Sequence, residues 1–194
     1  MVGATLNPTL WRTCRVLAGG TRVRLLGLVM TSPGLTVTEM AGRLRIGVSR
    51  ASQELRRLNS RGLLAATRVG SEVRYRLSPD PQVADAEALT AAIRARLRVP
   101  GAAPDAAFLR IASCFTHPRR LAITRELLKG PRAVAVLRRG TGIPLRALKR
   151  HLVLLRARGV VGRDDGVYRL RPVRHPLFRA IVGRLLASET PPRA

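Results

Sequence analysis

A stretch that occurs twice constrains this chain more than any other feature. The segment TVTEMAGRLRIGVSRASQELRRLNSR, Thr36 to Arg61, has a diverged copy 97 residues further on. At that shift Arg22 falls on Arg119, Val37 on Val134, Ile46 on Ile143, Leu55 on Leu152 and Leu58 on Leu155, and Arg61–Gly62 falls on Arg158–Gly159. The second copy is then about four residues shorter, after which Tyr75–Arg76–Leu77 matches Tyr168–Arg169–Leu170. These matches sit at apolar helix positions, at helix ends and in a strand-like run, so they mark a repeated structural unit rather than a shared composition.

Within the stretch, Val37, Met40, Ala41 and Leu44 recur at helical spacing. Arg45–Ile46–Gly47 breaks the pattern, and a second helix begins near Val48 or Ser49 with Ala51, Leu55 and Leu58 on its apolar face. Two short helices joined by a tight glycine-containing turn form a helix-turn-helix, whose second helix can enter the major groove of DNA. Gly62–Leu63–Leu64 ends that helix, and Ala65 to Leu77 alternates around a turn at Val69–Gly70–Ser71–Glu72, the pattern of a β-hairpin wing. The expected fold class is mainly α with small β-hairpin wings, a tandem duplicated winged helix-turn-helix. The first unit spans 6–98, with its recognition helix at about 48–61 and its wing at about 63–77. A linker at 99–104 leads to the second unit, 105–188, with its recognition helix at about 145–158 and its wing at about 160–170.

Composition bounds the partners. The 194 residues suit two units of this size, and an apolar content of 46% is enough for helical cores built mainly from Leu, Val, Ile and Ala. No apolar run reaches the roughly 18 residues of a membrane helix, and the N-terminus lacks the charged-then-apolar design of a signal peptide, so a cytoplasmic, nucleoid-associated protein is expected. Cys14 and Cys114 both lie in helical apolar patterns and are expected as two reduced, buried thiols. The net charge is +25 and the isoelectric point near 12.0, for which a polyanion is the default partner. Lys129 and Lys149 are the only lysines, and a bias in the genome can exchange Lys for Arg, but it does not account for having just 11 acidic residues.

In chain order, a first helix is expected over Leu6 to Leu17, with Pro8 near its start, and a second over Arg22 to Met30, capped by Thr21. A helix over about Gln82 to Leu97 follows the first wing, and the Pro-rich linker is semi-stiff. In the second unit Asp105 caps a helix running to Phe115, His117–Pro118 leads into Arg119 to Leu128, and Ala133 to Arg158 is the second helix-turn-helix. Its wing turns on Asp164–Asp165–Gly166, a last helix covers about Leu177 to Ala187, and Glu189 to Ala194 is a frayed tail.

Three segments carry a family resemblance. Val16–Leu17–Ala18–Gly19–Gly20–Thr21–Arg22–Val23–Arg24–Leu25–Leu26 resembles the opening segment of ArsR-type winged-helix repressors, as does Ile111–Ala112–Ser113–Cys114–Phe115–Thr116–His117–Pro118–Arg119–Arg120–Leu121. Arg150–His151–Leu152–Val153–Leu154–Leu155–Arg156–Ala157–Arg158–Gly159–Val160–Val161 is similar to that family's recognition helix. The resemblance covers nearly the whole chain, twice. Because such repressors are usually homodimers joined by their first and last helices, it implies an intramolecular pseudo-dimer, a monomer whose interface is built by Leu6–Leu17, Gln82–Leu97, Ala106–Phe115 and Leu177–Ala187. Further pairing of two chains into a four-winged homodimer stays open. Family members that sense soft metals do so through a Cys-x-Cys pair, but the matching positions here hold Thr36 and Thr38, and Ala133 and Ala135, which supply no thiolate. The last helix offers no acidic or histidine pair, Asp85 and Glu87 fall on different helix sides, and His117 and His151 read as a turn residue and a phosphate-side or core residue. No metal and no cofactor is expected.

On the first recognition helix the outward set is Val48, Ser49, Arg50, Ser52, Gln53 and Arg56. Arginine binds guanine and glutamine binds adenine with two hydrogen bonds each, which makes Arg50 and Gln53 the leading base readers, with Ser49 and Arg56 on phosphate. Glu54 pairs with Arg57 or Arg50, or faces cytosine. The second recognition helix spends Leu148, Leu152 and Leu155 on the core and shows Arg146, Ala147, Lys149 and Arg150. Arg68, Arg74 and Arg76 on one wing, and Arg163 and Arg169 on the other, are placed for minor groove or phosphate. The expected function is a sequence-specific transcriptional regulator bound to double-stranded DNA. The alternatives are a sequence-tolerant architectural or chromosomal DNA binder and, less favoured, a binder of RNA or protein. An enzyme is the weakest option: no phosphate-binding loop is present, and none of the three histidines belongs to a nucleophile pair.

Overall fold

The computed structural model describes residues 9–97 and 106–187, where the helical periodicities become α-helices and the alternating runs become two small antiparallel sheets. The chain is mainly helical. Helices α1 (Leu10–Leu17), α2 (Gly20–Thr31), α3 (Val37–Leu44) and α4 (Val48–Asn59) precede strands β1 (Leu64–Val69) and β2 (Glu72–Leu77) and helix α5 (Ala86–Arg96). The order then recurs with α6 (Ala106–Cys114), α7 (Pro118–Leu128), β3 (Arg132–Ala133), α8 (Val134–Thr141), α9 (Leu145–Ala157), β4 (Val161–Asp164), β5 (Val167–Leu170) and α10 (Pro176–Ala187). A shift of 97 lays α3 on α8 end to end and starts α9 where α4 starts.

The strands β1 and β2 pair in register from Leu64 opposite Leu77 to Val69 opposite Glu72, leaving Gly70–Ser71 as a two-residue loop. The second hairpin is shorter, from Val161 opposite Leu170 to Asp164 opposite Val167. Its loop residues Asp165 and Gly166 both have positive φ, 48° and 79°, the backbone of the turn that Asp-Gly favours between twisted strands. One element was not legible: β3 pairs with β5, Ala133 opposite Val167, and makes the second sheet three-stranded. The first half has only the isolated bridge Thr36–Arg74 there.

Several expected boundaries move. The helix expected from Gln82 begins at Ala86 instead. The Asp80 carboxylate accepts the Gln82 N–H at 2.9 Å, and Val83 and Ala86 donate to the carbonyls of Asp80 and Val83, so 82–85 is spent in turns. Gly19, not Thr21, occupies the cap position of α2, and α1 begins at Leu10 with Thr9 before it. Leu6, Pro8, the linker 99–104, the Asp105 cap and the tail Glu189–Ala194 lie outside the described residues. No described helix is long and apolar enough to cross a membrane.

One apolar core runs through the described residues. In the first half Leu25, Leu26, Leu55 and Leu58 are fully buried, and in the second Ile123, Leu148 and Leu155 are. Each such side chain contributes roughly 1.5–3 kcal/mol relative to exposure. The halves are joined by α1 packed on α6 and by α5 packed on α10. An ion pair between half-exposed Arg184, through Nε, and buried Asp85, through Oδ1, bridges α10 and the start of α5, where burial pushes the Asp85 carboxyl up against the pull of Arg184. Cys14 and Cys114 are free and buried on α1 and α6. Burial pushes the Cys114 thiol up to about 11 and the Cys14 thiol higher still, so neither is ionised at neutral pH.

The turn between α3 and α4 departs from expectation in one respect. Its glycine, Gly47, has an ordinary φ of −63°, and the left-handed residue is Arg45 at φ 53°. At the equivalent position after α8 the chain has Gly142, φ 65°. A side chain costs about 1–2 kcal/mol in this region, which glycine avoids. Arg45→Gly is expected to stabilise the protein by about 1 kcal/mol, read as a higher urea midpoint, and Gly142→Arg to lower the midpoint by a similar amount. A lower midpoint for Arg45→Gly would contradict the strain assigned to Arg45.

Candidate nucleic-acid interface

Two helix faces carry exposed positive charge with no ion-pair partner among the described residues. On α4, Ala51, Leu55 and Leu58 are fully buried against α2 and α3, which turns Ser49, Arg50, Gln53 and Arg56 outward, all exposed. Arg50 and Gln53, three apart, share one surface row, with Ser49 and Arg56 beside it. No acidic residue occupies the first turn of α4, and its cap, Gly47, leaves the first N–H groups without a side-chain acceptor. Such an end favours anions. Ser52 differs from expectation: it is half-buried, and its Oγ accepts from Arg56 Nη2 at 2.9 Å. That bond draws the Arg56 guanidinium back toward the helix start.

The preceding helix α3 is anchored by a reciprocal cap. The Glu39 N–H donates to Thr36 Oγ1 at 3.2 Å, and Glu39 Oε2 accepts the Thr36 N–H at 2.7 Å. The Thr36 N–H, then the Thr36 hydroxyl, holds the Glu39 carboxyl below its usual range. Sequence reading missed this box, although Thr-x-x-Glu before an apolar run is its signature.

Glu54 does not face outward. It is buried, with Oε2 at 2.7 Å from Arg22 Nη1 and Oε1 at 2.9 Å from Arg57 Nη1. Burial alone would raise its carboxyl, but the hydrogen bonds and charges of Arg22 and Arg57 overrule that and lower it. Of the expected partners Arg57 is present and Arg50 is not, and the option of facing cytosine is closed by the burial. Arg22 was not expected, because a pair 32 residues apart leaves no trace in helical periodicity.

On α9 the pattern is related but not the same. Leu148, Leu152 and Leu155 are buried, and Arg146, Lys149 and Arg150 are exposed with no ion-pair partner among the described residues. Ala147, expected outward, is half-buried against the core, because the shorter side chain lets the helix sit close to it. At the shift of 97, Ser49 becomes Arg146, Ser52 becomes Lys149, Gln53 becomes Arg150 and Arg56 becomes Val153. Val153 is 62% exposed, and Leu145, which takes the place of Val48, is 39% exposed. Sequence reading passed over both, although the repeat itself points to Leu145.

The hairpins carry the remaining candidates. Arg68 and Arg74 are exposed on the first, with Arg74 at 3.2 Å from Glu72 and Arg76 donating to Ser78 Oγ at 3.1 Å. Exposed pairs of this kind hold a side chain only weakly. On the second hairpin Arg163 lies over the Tyr168 ring, 5.5 Å from its centroid, and Arg169 pairs with Asp164 at 2.8 Å.

The histidines resolve into structural roles. His117 caps α7, its Nδ1 accepting the Arg119 N–H at 3.1 Å. His151 is buried, 4.8 Å from the His117 ring centre to centre, so the core alternative holds for it. Among the described residues no group of three or more His, Cys, Asp and Glu side chains is placed to hold a metal ion. Burial, then the charges of His117, Arg120, Arg150 and Arg119, pushes His151 down from 6.5 to about 4. Its stability contribution is therefore complete above pH 6.5 and is lost as the pH falls from there toward 4. Between pH 7 and 5 the loss is roughly 2 kcal/mol, and His151→Leu should flatten that limb of a stability–pH curve. An equal slope in the variant would show that His151 is not the titrating group.

No protein-family model matches the chain, and no curated protein matches it either.

Proposed function

We propose that the chain is a tandem of two winged helix-turn-helix units, an ArsR-like pseudo-dimer within one polypeptide, that binds double-stranded DNA as a sequence-specific transcriptional regulator. The observation that carries this reading is the pair of exposed basic faces on α4 and α9, each the second of two short helices joined by a tight turn and followed in the chain by a hairpin bearing arginines. The recurrence of element order at the shift of 97 supports the duplication, and the packing of α1 on α6 and α5 on α10 supports the pseudo-dimer.

In this reading each second helix enters a major groove. Arg50 and Gln53 meet guanine and adenine edges, and Ser49 and Arg56 hold phosphate at the helix start. The second unit holds DNA through Arg146, Lys149 and Arg150, and the exposed Val48 and Leu145 lie where a thymine methyl would be read by apolar contact. Arg68, Arg74 and Arg163 reach the flanking backbone or minor groove. The two faces differ, so the halves of the site they recognise differ too. A second reading, a sequence-tolerant architectural binder, is favoured by one observation: α9 presents positive charge without the amide side chains that read bases.

Fluorescence anisotropy with labelled duplexes tests the proposal. Random duplex should bind with an affinity that falls by about a thousandfold or more between 50 and 200 mM salt, the signature of several phosphate contacts. On a preferred duplex, Arg50→Ala and Gln53→Ala should each cost roughly 1–3 kcal/mol and leave binding to random duplex nearly unchanged. Equal losses on both duplexes would make these two residues phosphate contacts, and tighter binding to RNA than to duplex DNA would sink the proposal.

A further inference from the structure

A second basic site lies at the C-terminal end of α4, beyond the residues assigned to bases. Arg12 and Arg15 from α1, Arg22 from α2, Arg57 from α4 and Arg61 just beyond it converge on a cleft of about 470 Å³, with Trp11 on its wall. The carboxylate bonded within this cluster is that of Glu54, which is held between Arg22 and Arg57. Two of the five guanidinium groups are thus bonded to a carboxylate, and among the described residues Arg12, Arg15 and Arg61 are not. Arg61 Nε is buried and has no hydrogen-bond partner among the described residues. Arg12 stacks on Trp11 at 5.1 Å, which fixes one side of the opening.

The second half of the chain shows that the fold does not require this cluster. At the shift of 97, Arg12, Arg15 and Arg57 are replaced by Leu109, Ala112 and Leu154. The counterpart of Arg61 is Arg158, which donates to the Ser113 carbonyl at 2.7 Å. The carbonyl equivalent to Ser113 in the first half is that of Val16, and there Arg22 Nε already occupies it. Arg61 is left over. Holding five arginines together carries a repulsion that a bound polyanion would offset.

We propose that this cleft binds a small polyphosphorylated ligand, of the pyrophosphate or nucleoside polyphosphate class. Planar guanidinium groups grip phosphate oxygens in pairs, and several of them set around one opening suit two or more linked phosphates better than a single anion. Moving the Arg12 guanidinium off the Trp11 ring would open that ring to a base carried on such a ligand. Arg57 lies seven residues beyond Arg50 and four beyond Gln53, so the cleft opens on the same side of α4, about 10 Å further along the helix than Arg50. The ligand would compete with Glu54 for Arg57, on the helix that also carries Arg50 and Gln53. The site itself does not depend on the DNA reading.

Trp11 is the only tryptophan in the chain, so its fluorescence reports on this cleft directly. The full chain is titrated with inorganic pyrophosphate and with ATP at constant ionic strength, with calorimetry in parallel. The expected result is a saturable, one-site change. The double variant Arg12→Gln/Arg61→Gln, with an unaltered thermal melt, should bind at least tenfold more weakly, and Arg94→Gln, at an exposed position on α5, should bind as the parent does. Signals that do not saturate, or equal binding by the double variant, would overturn the proposal. Displacement of bound pyrophosphate by a short duplex would assign the cleft to the DNA backbone and overturn it as well. A chain that fails to bind DNA but still binds pyrophosphate would leave it standing.

Discussion

The packing of α1 on α6 and of α5 on α10 is the constraint on which the rest of the structure depends. Through these contacts the cores of the two halves become one, with Leu17, Leu89, Ile93, Phe108, Ile181 and Leu185 all nearly fully buried on the four helices. The Asp85–Arg184 pair bridges the same contact, with Asp85 buried and the Arg184 side chain 37% exposed. Because α4 and α9 are each anchored to this shared core, their outward faces are held in a set relation. Two separate protomers would have to spend association entropy to reach such an arrangement. Covalent linkage also releases the halves from identity, since a two-fold dimer must present the same surface twice.

The two halves, whose residues match at a shift of 97, separate what the fold needs from what a particular surface adds. Both halves keep leucine at the buried positions of the second helix, Leu55 with Leu152 and Leu58 with Leu155. They differ where the fold tolerates alternatives. The first half caps α3 with the Thr36–Glu39 box, whereas the second has Ala133 there and places it in a strand beside β5. Glu54 is tied to Arg22 and Arg57, whereas its counterpart His151 is buried against His117 without charge at neutral pH. These are two solutions to one packing problem, and they leave different groups free at the surface.

Much of this was legible in the sequence because the signals are local. Apolar spacing located α3, α4, α8 and α9 nearly to the residue, and the Asp-Gly and Gly-Ser turns set both hairpin registers. The residues that do not fit helical or strand periods were harder to place. The start of α5 shifted because the Asp80 side chain, a contact within a turn, competes with helix formation. The left-handed Arg45 was hidden by the nearby Gly47, which is the residue that sequence reasoning would choose. On the candidate surface the exposure of Arg50, Gln53, Arg146, Lys149 and Arg150 followed from the helix pattern. The Arg22–Glu54 pair and the arginine cleft did not, because both join helices that are distant in the chain.

The measurement that tests the central claim most directly is selection of bound duplexes from a random DNA pool, at near-physiological salt with excess non-specific competitor. Two unlike halves held at a set separation predict one enriched motif with two different half-sites, centred about one helical turn apart. A motif of two identical half-sites would contradict the assignment of different readers to α4 and α9. Tight binding with no enriched motif would contradict sequence-specific recognition altogether.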